Sequence, residues 1–299
     1  MKESTTEKLS ALREVVAELR TEGRPPVNWQ GGDQAEEGGP ITFRFVVNTD
    51  AQNKALQVLI DHGLVFYDAL NSTEMYELYE SLNPDDIPLW INAIDIRKVL
   101  VRIYRLDYFY GGVDWSPMFA SGKGLALFER WLEFEERWAS TNLTIAEAED
   151  VGEKFHFLFN EYLSEVTRHN PDVFSRRYMD NEQAEVATLY SPPHGRLLVA
   201  TTDDWPQGFL TMKHLSDDTV QITHLFTTHR MRGLGLAKLL LNTAVDTARR
   251  DGYKKIFLEY MPHLGESQSI FQRFGFTHFN PADSHSHQDL IPMEMVLRA

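Results

Sequence analysis

The stretch Arg232-Gly233-Leu234-Gly235-Leu236-Ala237 decides the fold of the second half of this 299-residue chain. An apolar segment, 220–227, precedes it, and an apolar-periodic run, 236–248, follows it. That order is typical of a strand, a glycine turn and a helix. Glycines let backbone N–H groups come close to a ligand, and the start of a helix favours anions. The stretch therefore predicts a cradle for a pyrophosphate.

Two common phosphate-binding motifs do not fit this cradle. It lacks the Lys-Ser/Thr pair of the phosphate loop of nucleotide hydrolases. Lys238 stands where the dinucleotide-binding fingerprint has its third glycine. The order Arg-x-x-Gly-x-Ala, from Arg232 to Ala237, instead resembles the acyl-CoA-binding signature of the GNAT superfamily of N-acetyltransferases, Gln/Arg-x-x-Gly-x-Gly/Ala.

A second landmark of the family follows downstream. Residues 255–260 are predicted to form a short buried strand, and residues 269–274 a helix that ends at Gly275-Phe276. Glycine suits a helix C-terminus because it adopts the left-handed conformation at the least cost. The glycine pair alone would fit any strand-to-helix turn, but the two landmarks together carry a resemblance over residues 142–299. It implies an α/β fold of the α+β type, with a mixed, largely antiparallel GNAT sheet flanked by helices.

No family is recognised from the sequence pattern of residues 1–141. Periodic apolar residues predict a helix at 5–22, and the Gly- and Pro-rich run up to residue 40 predicts a flexible linker. A separate α+β domain is expected to follow. Its expected elements are a strand at 41–47, helices at 51–62, 73–82 and 124–138, and a segment of mixed helix and strand character at 95–110. The expected organisation is thus a helix and linker (1–40), an α+β domain (41–141) and a GNAT domain (142–299).

The composition is that of a globular protein and excludes several classes. Apolar residues make up 42% and charged residues 24% of the chain, and no run approaches the roughly 18 apolar residues of a membrane span. The absence of cysteine excludes disulfides, zinc–thiolate sites and thiol nucleophiles. The first residues lack the apolar core of a signal peptide. A cytoplasmic protein without membrane association is therefore expected.

The formal net charge of −15 bears on the choice of partner. Non-specific nucleic-acid binding relies on Lys and Arg, so nucleic acid is not expected as a partner. The acidity favours a cationic acceptor, such as an amine or a basic peptide segment, although solubility alone explains it equally well. The sequence leaves a homo-oligomer open.

The resemblance implies that acetyl-CoA is the co-substrate and that no metal is needed. Backbone N–H groups of residues 232–237 would hold the pyrophosphate, and Arg232 would add charge. The strand end at 225–227 would pair with the pantetheine arm, and its splay from the next strand would leave room for the thioester. The cofactor-binding residues expected on this basis are Leu225, Phe226, Thr227, Arg232, Gly233, Leu234, Gly235, Leu236, Ala237 and Phe271.

Direct transfer of an acetyl group to an amine needs a general base that takes a proton from the ammonium. The family often places a Glu on the strand before the cradle. Here the nearest ionisable residue is His224, and histidine titrates near neutrality. The alternative role for His224 is a polar residue that faces out of the sheet. Glu259, at the end of the next strand, is the second candidate, with a salt bridge as its alternative role.

The family's usual general acid is a Tyr just before the Gly-Phe of the second landmark, but Phe271 stands there. Tyr260, Ser267 or water would then serve as the acid, or the thiolate would leave unprotonated. The candidate catalytic residues are thus His224, Glu259 and Tyr260.

Three weaker patterns are better explained by structure than by function. The run Gly122-Lys123-Gly124-Leu125-Ala126 repeats the glycine spacing of the cradle, but Ser121 stands in place of its Arg, so a chance pair at a helix start is expected. His285-Ser286-His287 is a weak metal pattern and is predicted to lie in a solvated loop. The aromatic-rich stretch 104–115 is expected in a hydrophobic core.

The sequence thus predicts an acetyl-CoA-dependent N-acetyltransferase that acts on a primary amine of a small molecule or peptide. The departure at Phe271 and the unmatched residues 1–141 keep open a non-catalytic CoA-binding module with a regulatory or protein-interaction role. A third hypothesis, acylation of an amine on a modified nucleic acid, is disfavoured by the charge.

Overall fold

The structure is a computed structural model. It describes residues 2–30, 45–63, 72–88, 91–110, 115–148, 152–169, 186, 188–260, 265–278 and 290–297. The chain divides into two compact units, Met1–Ser140 and Thr141–Ala299. No helix among the described residues is both long enough and apolar enough to cross a membrane.

The first unit is helical apart from one short antiparallel ladder, as far as it is described. The ladder pairs two-residue strands, and a π-helical turn, Leu59–Gly63, continues the second helix. The elements are α1 (Lys2–Glu22), β1 (Trp29–Gln30), β2 (Phe45–Val46), α2 (Asp50–Val58), α3 (Ser72–Ser81), α4 (Ala93–Tyr110), α5 (Trp115–Ala120) and α6 (Lys123–Ser140).

Helix α1 is part of the core of this unit. Its apolar positions, among them Leu12 and Leu19, are buried in the same cluster as Trp131 of α6. The carboxylate of Glu135, which is fully buried, pairs with Lys8 at 2.6 Å and accepts a hydrogen bond from Trp131 Nε1 at 3.1 Å. Helix α1 is therefore not separate from the rest of the unit, because it supplies one side of the core.

The segment of mixed character at 95–110 is a helix throughout. One continuous helix runs from Ala93 to Tyr110, and Ile96, Val99, Leu100 and Ile103 are buried at helical spacing within it. Asn92 fixes the start of the helix, because its side-chain oxygen accepts hydrogen bonds from the backbone N–H groups of the first turn. The strand that was the alternative for residues 101–110 is therefore absent, and the helix continues through them.

The second unit is a seven-stranded sheet flanked by helices. The strand order is β3-β4-β5-β6-β7-β9-β8, and every neighbouring pair is antiparallel except β6 and β7. This confirms the mixed, largely antiparallel sheet that the resemblance implied. The elements are β3 (Leu143–Glu147), α7 (Glu153–His169), β4 (Gly195–Thr202), β5 (Trp205–Ser216), β6 (Thr219–Thr227), α8 (Leu236–Arg250), β7 (Lys255–Tyr260), α9 (Gly265–Phe274), β8 (Thr277–His278) and β9 (Ile291–Val296).

Helices α7 and α8 pack on opposite faces of the sheet. On one face, Phe155 and Phe159 of α7 contact Phe209 of β5, with ring centroids 5.3 and 5.6 Å apart. On the other face, α8 approaches so closely that a Cβ on Gly208 would lie 3.3 Å from the side chains of Leu236 and Leu240. Below, the two sides are called the α7 face and the α8 face.

Candidate active site

The two parallel strands at the centre of the sheet separate before they end. The ladder between β6 and β7 runs from Thr219–Lys255 to Ile222–Leu258. Beyond it, β6 continues to Thr227 and pairs with β5. Over residues 223–227 its other edge has no strand partner among the described residues. The predicted splay is therefore present, and it leaves backbone N–H and C=O groups open to an extended ligand.

A β-bulge at Thr223 sets the direction of His224. Thr211 of β5 is opposite His224, whereas the next residue, Met212, is opposite Ile222, so Thr223 is an extra residue. Side chains alternate along a regular strand, and without the bulge His224 would share the α8 face with Ile222. With it, both Thr223 and His224 meet Thr211 on the α7 face: Thr211 Oγ1 lies 2.7 Å from Thr223 Oγ1 and 2.7 Å from His224 Nδ1.

Aromatic rings enclose His224. The side chain is only 6% exposed. Its ring centroid lies 5.3 Å from that of Tyr162 and 5.5 Å from that of Tyr190, and both pairs are edge to face. Phe159 of α7 lies 6.0 Å away. His224 therefore does not face out of the sheet into solvent; it sits in the aromatic cluster under α7.

The cradle has the backbone that its glycines predict. Gly233 and Gly235 have φ values of 80° and 91°, in the left-handed region that favours glycine. Gly235 is the N-cap residue of α8, and no described side chain caps this helix. A Cβ on Gly235 would meet nothing within 4 Å. No described side chain accepts a hydrogen bond from this helix start, and the space beside Gly235 is open, which is the arrangement in which a helix start can bind an anion.

Two arginines next to the cradle have different partners. Arg232 Nη2 donates to both carboxylate oxygens of Glu165 on α7, at 2.5 and 2.6 Å, and Arg232 Nε donates to the carbonyl of Thr227 at 3.4 Å. Arg230 Nε donates to the side-chain oxygen of Gln207 at 3.0 Å, and Arg230 itself is exposed. The charge of Arg232 is thus neutralised by an ion pair.

Glu259 and Tyr260, the other two candidate catalytic residues, lie on opposite faces of β7. Leu258 pairs with Ile222 and shares its α8 face, so Glu259 lies on the α7 face, the same side as His224, and Tyr260 on the α8 face. The sheet register therefore places the two candidate bases on one side and the candidate acid on the other.

The hydroxyl of Tyr260 is buried and has no hydrogen-bond partner among the described residues. The residue is 5% exposed, and its ring centroid lies 6.3 Å from that of Phe271 on α9. Burial raises the pKa of the Tyr260 hydroxyl above its ordinary value. A buried hydroxyl without a partner is costly, so it marks a position where a ligand or a reaction could use the group.

Phe271 is held by the C-terminus of its helix. Gly275 has a φ of 104°, its N–H donates to Gln272 O, and the N–H of Phe276 donates to Phe271 O. The rings of Phe271 and Phe276 pack 5.8 Å apart, completing the hydrophobic contact of this motif. The left-handed glycine predicted for the second landmark is thus confirmed.

Comparison with known families adds to this geometry. The model of the acetyltransferase (GNAT) family matches residues 156–276, which contain β6, the cradle and both landmarks. Residues 156–276 belong to the GNAT family. A family of unknown function, DUF6508, matches residues 4–137.

Curated relatives match only parts of the chain. An uncharacterised N-acetyltransferase of Escherichia coli, YjgM, is 29% identical over 75 residues, which are 25% of this chain and 45% of that protein. The match thus spans less than half of the relative. An uncharacterised N-acetyltransferase of Schizosaccharomyces pombe is 26% identical over 129 residues, 42% of this chain and 77% of that protein.

Solved structures align with about half of this chain at low identity. An acetyltransferase from Streptococcus agalactiae aligns with a TM-score of 0.46 and 15% identity, over 52% of this chain and 98% of that one. The PaiA N-acetyltransferase from Thermoplasma acidophilum, solved in complex with coenzyme A, aligns with a TM-score of 0.42 and 14% identity, over 52% of this chain and 99% of that one.

The family signature also fits two residues earlier than predicted. In the order Arg230-x-x-Gly233-x-Gly235, both glycine positions have a positive φ, whereas the Arg232 order ends on Ala237 in the first turn of α8. The structure therefore favours Arg230 as the first residue of the signature. The sequence already contained this signal, because an alignment that starts at Arg230 places Gly233 and Gly235 on the two positions where the signature has Gly.

Two further neighbours of the site were not predicted from the sequence. Thr211 and Glu165 reach His224 and Arg232 from other elements, and nothing in the local pattern marks them. The side chain of Ser267 and the run His285-Ser286-His287 lie outside the described residues. Within the described residues, no three His, Asp or Glu side chains form a group that could hold a metal ion.

Proposed function

We propose that the second unit is an acetyl-CoA-dependent N-acetyltransferase that transfers an acetyl group to a primary amine of a small molecule or peptide. The observation that carries this proposal is the edge of β6 beyond Ile222, which has no strand partner among the described residues and is followed, after the turn at 228–235, by a helix start that no described side chain caps. Residues 225–227 would bind the pantetheine arm through their backbone. The N–H groups of residues 235–237, at the start of α8, would bind the pyrophosphate. Acetyl-CoA, when bound, supplies the activated thioester.

His224 is the proposed general base. Thr211 Oγ1 can accept a hydrogen bond from His224 Nδ1–H while donating its own proton to Thr223 Oγ1. That arrangement leaves the lone pair of the imidazole on Nε2, which would take a proton from the acceptor ammonium. Thr211 thus sets the tautomer, and the bulge at Thr223 sets the direction of the ring.

Tyr260 is the proposed general acid. Its hydroxyl is on the α8 face, beside Phe271, which occupies the position of the family's usual tyrosine. A tyrosine hydroxyl is protonated at neutral pH, and burial raises the pKa of this one further, so the proton is present for donation to the departing thiolate. In this proposal, a strand residue supplies the hydroxyl that the helix residue lacks.

Release of thiol from acetyl-CoA, measured against polyamines, amino acids, aminoglycosides and basic peptides, tests the function. We expect turnover with one of these amine classes and a loss of roughly 10²-fold or more in kcat for His224→Gln, the usual size of a general-base effect. The dissociation constant for acetyl-CoA should stay the same.

His214→Gln is the matched control. It removes a histidine from β5, where the ring pairs with Tyr253 on the surface, and should leave kcat unchanged. Binding of acetyl-CoA without thiol release in the presence of any amine would instead support the non-catalytic CoA-binding module. Wild-type kcat in His224→Gln would reduce His224 to a core residue and make Glu259 the leading candidate.

A further inference from the structure

Arg232 lies next to the cradle, where an unpaired cation would favour binding of the pyrophosphate, but it forms an ion pair with Glu165. A diphosphate carries negative charge, and an arginine at the entrance of the cradle would attract it. Here, however, one guanidinium nitrogen lies 2.5 and 2.6 Å from the two oxygens of Glu165. Both side chains are about 30% exposed, so water does not fully screen the pair. The pair is close to neutral as seen from the cradle.

The other cations around the cradle are not neutralised in this way. The single described partner of Arg230 is the neutral side chain of Gln207, and Lys238, in the first turn of α8, is exposed without a described partner. The site therefore carries positive charge of its own, and Glu165 cancels one part of it. Glu165 also belongs to α7, one turn after Tyr162, whose ring edge meets His224.

We propose that Glu165 is a positioning residue that lowers the affinity of the cradle for coenzyme A by holding Arg232 in an ion pair. Arg232 is then fixed at the end of β6, against the carbonyl of Thr227, and contributes little net charge to an anion in the cradle. An enzyme that binds its anionic product too tightly releases it slowly, and product release limits the turnover of many enzymes. The proposal rests on the proposed function, because it presumes that the cradle binds coenzyme A.

The two members of the pair should have opposite effects on binding. Glu165→Gln leaves the charge of Arg232 uncompensated beside the cradle, and coenzyme A should bind more tightly, by roughly tenfold for a charge at this range. Arg232→Gln leaves the carboxylate uncompensated and should weaken binding by a similar factor. The double variant restores neutrality and should return to within about threefold of the wild type, which is the signature of coupled neighbours.

Calorimetry of coenzyme A binding to these four full-length proteins tests the proposal. Raising the salt concentration should shrink the effects of both single variants, because they act through charge. Stopped-flow displacement should show that Glu165→Gln slows the dissociation of coenzyme A. Glu161→Gln, one turn earlier on α7, removes the same charge without breaking the pair and should change affinity less.

The outcomes separate this proposal from the proposed function. If wild type binds coenzyme A and Glu165→Gln weakens binding as Arg232→Gln does, Glu165 is a structural brace and the proposal is overturned. Equal effects of Glu161→Gln and Glu165→Gln would overturn it as well, because the ion pair would then be irrelevant. If none of the proteins binds coenzyme A, the proposed function fails and this inference fails with it.

Discussion

The chain contains two glycine pairs of the same spacing at helix starts, and they differ in what fills the space beside them. At the start of α6, a Cβ on Gly124 would lie 2.5 Å from the ring of Phe119, and one on Gly122 would lie 2.7 Å from Arg24 Nε. At the start of α8, a Cβ on Gly235 would meet nothing within 4 Å. The first pair is covered by the protein's own side chains, whereas the space beside Gly235 is open.

The difference shows that glycine spacing alone does not identify a ligand site. Gly122 and Gly235 share the left-handed backbone, with φ values of 85° and 91°, so conformation does not distinguish them either. Gly124 is required because a buried aromatic ring presses on the helix. Gly235 has no such neighbour, and the space it leaves belongs to a ligand in our proposal. Open space beside a helix start without a side-chain cap separates the two cases.

The largest expected effect follows from filling the open cradle. Gly235→Asp adds an anion where the pyrophosphate is proposed to bind, and a like-charge contact costs several kcal/mol. We expect the affinity for acetyl-CoA, measured by calorimetry, to fall roughly 10²-fold or more. Gly252→Asp is the matched control, because Gly252 has a φ of 87° and equally open surroundings at the other end of α8. Equal losses in the two variants would mean that backbone strain, and not the cradle, explains the result.

Much of this site could be predicted from the sequence, because its backbone is encoded locally. The left-handed glycines, the starts and ends of helices, and the succession of strands and helices along the chain follow from residues close in sequence. The direction of His224 does not, because it depends on a bulge whose partner, Thr211, is on the preceding strand. The ion pair of Arg232 is equally non-local, since Glu165 lies 67 residues away. Register and long-range pairing were what the pattern could not supply.

A second, smaller effect is expected for the hydroxyl on the α8 face. Tyr260→Phe should lower kcat by up to about 10²-fold with an unchanged dissociation constant for acetyl-CoA, because the group acts in the chemistry and not in anchoring. Since burial raises the pKa of Tyr260, the protonated form persists as pH rises, and an alkaline fall in kcat due to this group should begin only above pH about 10. Steady-state rates against pH measure both quantities.

Moving the hydroxyl tests whether its position or its identity matters. The double variant Tyr260→Phe with Phe271→Tyr keeps one hydroxyl in the same pair of rings and should recover part of the lost kcat. An unchanged kcat in Tyr260→Phe alone would show that the thiolate leaves without help from the Tyr260 hydroxyl. The α8 face of the site would then bind acetyl-CoA without supplying a general acid.

The smallest effect is expected at the covered pair. Gly124→Ala places a Cβ against the ring of Phe119, which is 1% exposed and cannot easily move away. Overpacking costs about 1–3 kcal/mol, and the better helix propensity of Ala offsets up to about 1 kcal/mol of that. Urea unfolding followed by tryptophan fluorescence suits this test, because the signal comes mainly from the first unit: of the six tryptophans only Trp205 lies in the second unit. We expect a lower urea midpoint and an unchanged acetyl-CoA affinity.

Adding Phe119→Leu makes room for the Cβ, so the loss of stability in the double variant should be smaller than the sum of the two single losses. Additive losses, or weaker acetyl-CoA binding in Gly124→Ala, would contradict the assignment of this pair to packing.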